Sequence, residues 1–205
     1  FRDIISRYNI RNTKLFDNLT KFLFDNTGNL FSGRGIVKYL KSQHLQVGID
    51  TIHNYLQYLE NAFLIHKVKR YDLKGKRILD IREKYYLADV GLKNALLGYN
   101  ETQLPGLLEN IVFLHLKQSG YTVYIGTLGE LEVDFAATKG DTTIYIQVTY
   151  MLNSEDTINR EFRPLMNIPD NYPKYVLSMD QYGTTNREGI IRMNLIDWLM
   201  MLHTD

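Results

Sequence analysis

The sequence predicts a mixed chain of two parts, and two observations carry that prediction. Up to residue 87, three apolar runs at helical spacing precede two extended runs joined by a basic, Gly-containing turn. From Gly106 the order changes to helix, three strands, helix, strand and a closing helix. A composition of 44% hydrophobic residues over 205 residues is enough to bury real cores in one large or two small domains.

In the first part, Leu15, Leu19, Phe22 and Leu23 fall at i, i+4, i+7 and i+8, the spacing of one helix face, with Asn12 placed to cap it and "NTGN" at 26–29 to end it. A second helix begins at Ser32, with Ile36, Val37 and Leu40 inward. After "SQHLQVG", Asp50 is expected to cap a third helix, whose Ile52, Tyr55, Leu56 and Leu59 keep the spacing i, i+3, i+4, i+7. Helices this short cannot each bury a face alone, so they are expected to pack as one small bundle.

"FLIHKVKRY" then reads as a strand with apolar Phe63, Ile65 and Val68. "DLKGKR" is its turn and "ILDIREKYYLADVG" the returning run. Three helices followed by a hairpin is the order of a winged helix, expected over residues 13–87. Its third helix would offer Thr51, His53, Asn54, Gln57 and Tyr58 to base edges. Lys67, Lys69, Arg70, Lys74, Lys76 and Arg77 of the hairpin would contact phosphates, so double-stranded DNA is the expected partner. The alternative for the same pattern is a protein-docking platform, because the reading face carries no Arg or Lys.

Residues 88–105, with Gly91, Gly98 and Pro105 around an apolar helix at Leu92, Leu96 and Leu97, read as a linker. The second part, 106–205, opens with the amphipathic "GLLENIVFLHLKQSG", with Leu108, Ile111, Val112 and Leu116 on its stripe and Gly120 at its end. "YTVYIG", "LEVDFAAT" and "TTIYIQVTY" are strands, "SEDTINREFRPLM" a helix, "YPKYVLSM" a strand and "NLIDWLMMLH" a last helix with Trp198 in the core. Strict alternation from Leu131 turns Leu131, Val133, Phe135 and Ala137 to one face and Glu132 and Asp134 to the other. In the next strand Tyr145, Gln147 and Thr149 lie opposite Ile144, Ile146 and Val148. Paired as a hairpin, these strands bring Asp134, Gln147 and Thr149 to one side of the sheet. Glu109 can approach from the preceding helix, where it stands beside an apolar stripe.

Several chemistries are excluded. The chain has no cysteine, so disulfides and thiolate metal sites are impossible, a composition that fits a cytoplasmic home. No apolar run approaches the ~20 residues of a membrane span, and the first residues lack the order of a secretory signal. His44, His53, His66, His115 and His203 show neither H-x-x-H nor H-E-x-x-H spacing, and no G-x-S-x-G occurs. No G-x-x-x-x-G-K-[ST] is present, so ATP hydrolysis is not expected of these residues and they hold no cofactor of their own. The chain begins at Phe1 rather than Met and is expected to be a piece of a longer protein.

The second part resembles the PD-(D/E)xK nuclease-like fold, an α/β restriction-endonuclease-like domain. Its pattern is a helix Glu, a strand Asp and an E-x-K pair holding a divalent metal. More closely, "EKYYLADVGLKNALL", "LLENIVFLHL", "EVDF" and "IQVTY", in this order, look like the C-terminal half of a family of bacterial and archaeal AAA-type ATPases. In that family a P-loop domain precedes a winged helix and a nuclease-like domain. The resemblance implies that residues 1–12 are the tail of the ATPase module and that ATP and Mg²⁺ belong to that upstream module. It also assigns the helix carboxylate to Glu109 and the strand carboxylate to Asp134, the two metal candidates. Gln147 then stands in place of the E-x-K Glu and Thr149 in place of its Lys.

Replacing a carboxylate by an amide removes one charge from a hard-metal site, and replacing Lys by Thr removes its cation. Glu132 is a candidate substitute ligand, and Arg160 or Arg163 a candidate migrated cation. The expectation is therefore a DNA-associated accessory region of an ATPase with a vestigial, non-cutting nuclease site. An active metal-dependent endonuclease with a rearranged site and a protein-interaction scaffold are the alternatives.

Overall fold

The computed structural model describes residues 1–181 and 183–201, which fall into two compact units. Unit 1 comprises Phe1–Lys67 and Ile81–Gln103; unit 2 comprises Val68–Asp80 and the chain from Leu104 onward.

Unit 1 is built on helices α1 (Arg2–Arg7), α2 (Thr13–Asp25), α3 (Gly33–Ser42), α4 (Ile49–Asn61) and α5 (Val90–Leu97). Asn12 caps α2, its side-chain oxygen accepting from the Leu15 N–H at 3.0 Å, and Ser32 caps α3 through the Gly35 N–H at 3.2 Å. The α4 cap differs from expectation. Gly48 is its N-cap, and Asp50 lies inside the first turn, where its charge meets the positive helix end without a capping hydrogen bond. Leu19, Leu23, Ile36, Leu40, Ile52 and Leu59 close the core.

Two stretches expected outside this domain belong to its core. Residues 1–12 form α1 and deliver Ile4 and Ile10 to the apolar cluster. The expected linker carries α5, capped by Asp89 through the Gly91 N–H at 2.7 Å, and packs Leu92, Leu96 and Leu97 against the same cluster. Apolar surface on these segments is removed from water, which a solvated linker would not achieve.

Strands β2 (Ile65–Asp72) and β3 (Arg77–Leu87) are joined by a turn at 73–76. Phe63, expected in the first strand, precedes it with φ of +54° and is 77% exposed, a left-handed residue at the helix-to-strand turn. In unit 1, β1 (Leu30–Phe31) pairs antiparallel with β3, Leu30 opposite Lys84. The outer half of the hairpin departs from the expected boundary of 13–87 and belongs to unit 2. The cause is a non-local ladder: Arg70, Tyr71 and Asp72 pair in parallel with Ile125, Gly126 and Thr127 of β4 (Thr122–Leu128).

Unit 2 is a sheet in the order β2-β4-β5-β6-β7-β9-β8, with β5 Leu131–Lys139, β6 Thr142–Val148, β7 Lys174–Ser178, β8 Thr185–Arg187 and β9 Ile190–Asn194. β4, β5 and β6 run antiparallel, while β6, β7 and β9 are parallel. α6 (Leu104–Gln118), α7 (Glu155–Met166) and α8 (Leu195–Met201) complete it, with Trp198 buried in α8. Leu202 and His203 of the expected last helix lie outside the described residues. β8 and β9 were not expected; β8 is exposed throughout and carries no apolar alternation.

The strict alternation expected along β5 is broken. The β4–β5 register passes from Tyr124↔Ala136 to Gly126↔Val133, so Asp134 and Phe135 both stand opposite Ile125, as in a bulge. Phe135 packs at 6.4 Å from the Phe113 ring of α6, whereas Val133 joins Ala136, Tyr145, Phe162 and Leu165 in a different cluster. Gly126 permits the close approach, since a Cβ there would lie 2.9 Å from the Val133 Cβ.

Candidate functional site

The bulge decides what Asp134 does. It lies just beyond the last registered β5–β6 pair, Phe135↔Ile146. There its side chain takes over a ladder position: the carboxylate Oδ2 accepts the Val148 backbone N–H at 2.8 Å. The Asp134 N–H in turn donates to Gln147 Oε1 at 3.2 Å. Asp134, Gln147 and Thr149 are all buried, at 9%, 9% and 8% exposure. Burial makes these hydrogen bonds obligatory rather than optional.

A cleft of about 850 Å³ opens over them. Glu109 of α6 and Glu132 of β5 line it together with Asp134, Gln147 and Thr149, so the four positions matched to the nuclease pattern meet at one place. Arg160 and Arg163 of α7 also line it. Arg160 donates to Glu161 Oε1 through Nε at 3.0 Å and a terminal nitrogen at 2.7 Å.

Glu161 is the residue that sequence reasoning missed. It is only 6% exposed and lines the same cleft. The signal was present: Ile158, Glu161, Phe162 and Leu165 fall at i, i+3, i+4 and i+7, so the carboxylate occupies a position of the apolar stripe. A charge so placed needs a partner, and Arg160 supplies it.

Asp134 and Glu109, the two metal candidates, both line the cleft. Asp134 Oδ2 and Gln147 Oε1 each accept one backbone N–H within the chain, and Gln147 offers an uncharged amide oxygen where a hard divalent cation prefers a carboxylate. Among the described residues no group of three or more His, Cys, Asp or Glu side chains is placed to hold a metal ion.

Asp180 fixes the loop after β6 by accepting the Leu152 N–H. Burial pushes its carboxyl upward, but the Ser178 hydroxyl, the Leu152 N–H and the Arg192 guanidinium outweigh it and hold the group below its ordinary value. The contacts are 2.8 Å, 3.0 Å and 3.1 Å respectively.

The residues expected to contact DNA differ in their exposure and in their contacts within each unit. On α4, His53, Asn54 and Gln57 are exposed, and Thr51 is half-buried. Tyr58, expected to face a base edge, instead stacks on Tyr8 with ring centroids 3.9 Å apart and planes at 8°. One face of the half-buried Tyr58 ring is thus occupied within its own unit.

The hairpin cations are also partly engaged. Lys67 pairs with Glu83 at 2.7 Å, Lys69 with Asp80 at 2.8 Å and Arg77 with Asp72 at 3.6 Å. Arg70 Nε donates to Thr127 Oγ1 at 3.2 Å. Asp72 is held below its ordinary value chiefly by the Gly75 N–H, with the Lys74 N–H and Arg77 adding to it against burial. Lys74 and Lys76 make no ion pair among the described residues and stand on the exposed turn.

No helix among the described residues is long and apolar enough to cross a membrane. No solved structure matches the chain. An uncharacterized protein of Haemophilus influenzae is 36% identical over 200 residues, which is 97% of this chain and 49% of that protein. Uncharacterized protein MJ1544 of Methanocaldococcus jannaschii is 32% identical over 167 residues, 80% of this chain and 36% of that protein. The chain thus spans about half or less of the length of these curated relatives. Residues 1–103 match a family described as "Domain of unknown function (DUF8612)", and that match ends where unit 1 ends, at Gln103. By this match the chain belongs to the DUF8612 family.

Proposed function

We propose that the chain is a DNA-associated accessory region of a cytoplasmic P-loop ATPase of the AAA type, in which a winged-helix unit binds duplex and a nuclease-like unit binds without cutting. The observation that carries the non-cutting part is the hydrogen-bond pair at Asp134. In a metal-dependent nuclease the strand carboxylate and the next acidic group must offer oxygens to the ion. Here Gln147 offers an uncharged amide in place of the second carboxylate, its Oε1 accepting the Asp134 N–H while Asp134 Oδ2 accepts the Val148 N–H. Thr149 stands where a cation would offset charge in the transition state. Losing one such donor typically costs about 2.7 to 4 kcal/mol, or roughly 100- to 1000-fold in rate.

The winged-helix part is supported by the order α2, β1, α3, α4, β2, β3 and by exposed His53, Asn54 and Gln57 on α4. The ATPase part is supported by the sequence resemblance alone; the relatives, about twice the length of this chain or more, are uncharacterized.

Two measurements test the reading. Supercoiled plasmid incubated with the chain and Mg²⁺ or Mn²⁺ is expected to stay intact, with Asp134→Ala alongside. Nicking that disappears in Asp134→Ala overturns the non-cutting assignment in favour of a rearranged endonuclease. Duplex DNA titrated across salt concentrations is expected to bind with a steep loss at high salt, through counterion release. Absent or salt-insensitive binding favours the scaffold alternative, which gains some support from the ion pairs Lys67–Glu83 and Lys69–Asp80.

A further inference from the structure

Unit 2 contains a second cavity, of about 580 Å³, that none of the nuclease-pattern residues line. Tyr71 of β2 and Tyr124 of β4 lie side by side along its wall, their ring centroids 5.5 Å apart and their planes at 37°. The parallel β2–β4 ladder that draws the hairpin into unit 2 is what brings these rings together.

The cavity is built rather than incidental. Tyr145 of β6 lines it, is only 5% exposed, and donates its hydroxyl to Asp170 Oδ2 at 2.7 Å. Asp170 also accepts the Tyr172 N–H at 3.2 Å, and Lys174 Nζ donates to the Ile168 carbonyl at 3.0 Å. These bonds fix the loop that carries Asp170 and Tyr172 to the cavity edge.

Lys74 and Lys76 also line it. Of the other hairpin cations, Lys67, Lys69 and Arg77 pair with Glu83, Asp80 and Asp72, and Arg70 donates to the neutral Thr127 hydroxyl, whereas Lys74 and Lys76 make no ion pair among the described residues. Tyrosine faces favour a flat π-system, and two ammonium groups favour an anion attached to it. Asp170, together with the Thr138 and Thr143 hydroxyls, offers acceptors to the N–H groups of a polar ring edge. A volume within the roughly 300 to 1,000 Å³ range of ligand pockets admits one such ring with its substituent.

We propose that this cavity binds a nucleobase carrying a phosphate, with Tyr71 and Tyr124 against the base and Lys74 and Lys76 on the phosphate. A base stacked inside duplex cannot lie against Tyr71 and Tyr124 within such a cavity without leaving the stack. The ligand is therefore a free nucleotide or an unpaired base of a single strand. The site does not rest on duplex binding by unit 1.

The test is calorimetric titration of the 205-residue chain with nucleoside monophosphates, the matching nucleosides and inorganic phosphate. The monophosphates are expected to bind tighter than either fragment, by about tenfold or more over inorganic phosphate, the size of a base–aromatic stack. Lys74→Ala with Lys76→Ala, on the exposed turn, should lower nucleotide affinity to that of the nucleoside and leave nucleoside binding unchanged. Tyr71→Ala with Tyr124→Ala should lose about tenfold or more for both ligands, and the Phe versions should retain binding. The lysine and Phe arms decide the matter if the Ala pair does not fold. Saturable binding of the monomer assigns a free nucleotide; binding seen only with a short single-stranded oligonucleotide, and lost in the same variants, assigns a strand. Equal binding of phosphate and nucleotide, insensitivity to the lysine and tyrosine variants, or no binding of monomer and oligonucleotide alike overturns the proposal, whatever the plasmid and duplex measurements give.

Discussion

The Tyr8 ring lies parallel to the Tyr58 ring at 3.9 Å between centroids, and Asn61 donates to the Tyr8 hydroxyl at 3.3 Å. This contact ties the segment after α1 to α4, the helix that carries His53, Asn54 and Gln57. Stacked aromatic pairs contribute about 0.5 to 1.5 kcal/mol beyond buried area. Tyr8→Ala is expected to lower the unfolding free energy by about 1 to 2 kcal/mol. A double-mutant cycle with Tyr58→Ala, read by urea denaturation, should return a coupling in the range of the stack. Zero coupling would mean that the two rings contribute independently.

Asp134 is expected to matter for stability whether or not it matters for cutting. Asp134→Ala removes the acceptor of the Val148 N–H and leaves that buried donor unpaired, at a cost of about 1 to 3 kcal/mol. Asp134→Asn keeps an oxygen acceptor of the same shape and should recover part of the loss. Denaturant midpoints of the two variants measure the difference; equal midpoints would show that the bond contributes nothing.

Gly126→Ala places a methyl 2.9 Å from the Val133 Cβ and 3.3 Å from a Leu73 methyl. The strands must shift to accept it. Overpacking of this kind typically costs about 1 to 3 kcal/mol, and the change should appear as a lower melting temperature. If Gly126→Ala melts with the parent chain, the bulge has more room than its geometry indicates.

Asp180 makes a pH prediction whose sign follows from its lowered pKa. A carboxyl held below its unfolded value binds its proton less readily when folded. Its stabilising contribution is complete above the ordinary carboxylate range and is lost as pH falls through the folded value. Stability should therefore drop as pH is lowered below about 4. Asp180→Asn should be less stable than the parent at neutral pH and show a shallower acid slope. Parallel stability curves from pH 7 to the acid limit would remove Asp180 from the account.

For duplex DNA, the hairpin cations should separate into two groups. Lys74→Glu and Lys76→Glu should weaken binding to all duplexes alike and reduce the salt slope by about one for each phosphate that is no longer neutralised. Lys67→Ala should have a smaller effect, since its ammonium is 2.7 Å from Glu83. Fluorescence anisotropy across salt concentrations distinguishes them. Equal effects would show that the Lys67–Glu83 pair opens on DNA.

The sequence by itself determined what depends on near neighbours along the chain. Asn12 and Ser32 cap their helices, and the apolar stripes of α2, α3 and α4 lie inward, because cap and stripe are set within a few residues. The convergence of Glu109, Asp134, Gln147 and Thr149 was legible from strand order and the family resemblance, and these residues do line one cleft. What the tertiary structure decided involves partners distant in sequence. The stack of Tyr8 on Tyr58 and the packing of α5 on the core of unit 1 come from segments that the family resemblance had read as a tail and that Gly and Pro punctuation had read as a linker. The ladder between Arg70 and Ile125 assigns the hairpin tip to unit 2 and creates the tyrosine wall. The bulge opposite Ile125 breaks the alternation of β5, so that Val133 and Phe135 enter different clusters and Asp134 replaces a backbone acceptor. Period-two counting assumes an unbroken ladder, and only the register of the neighbouring strands can break it.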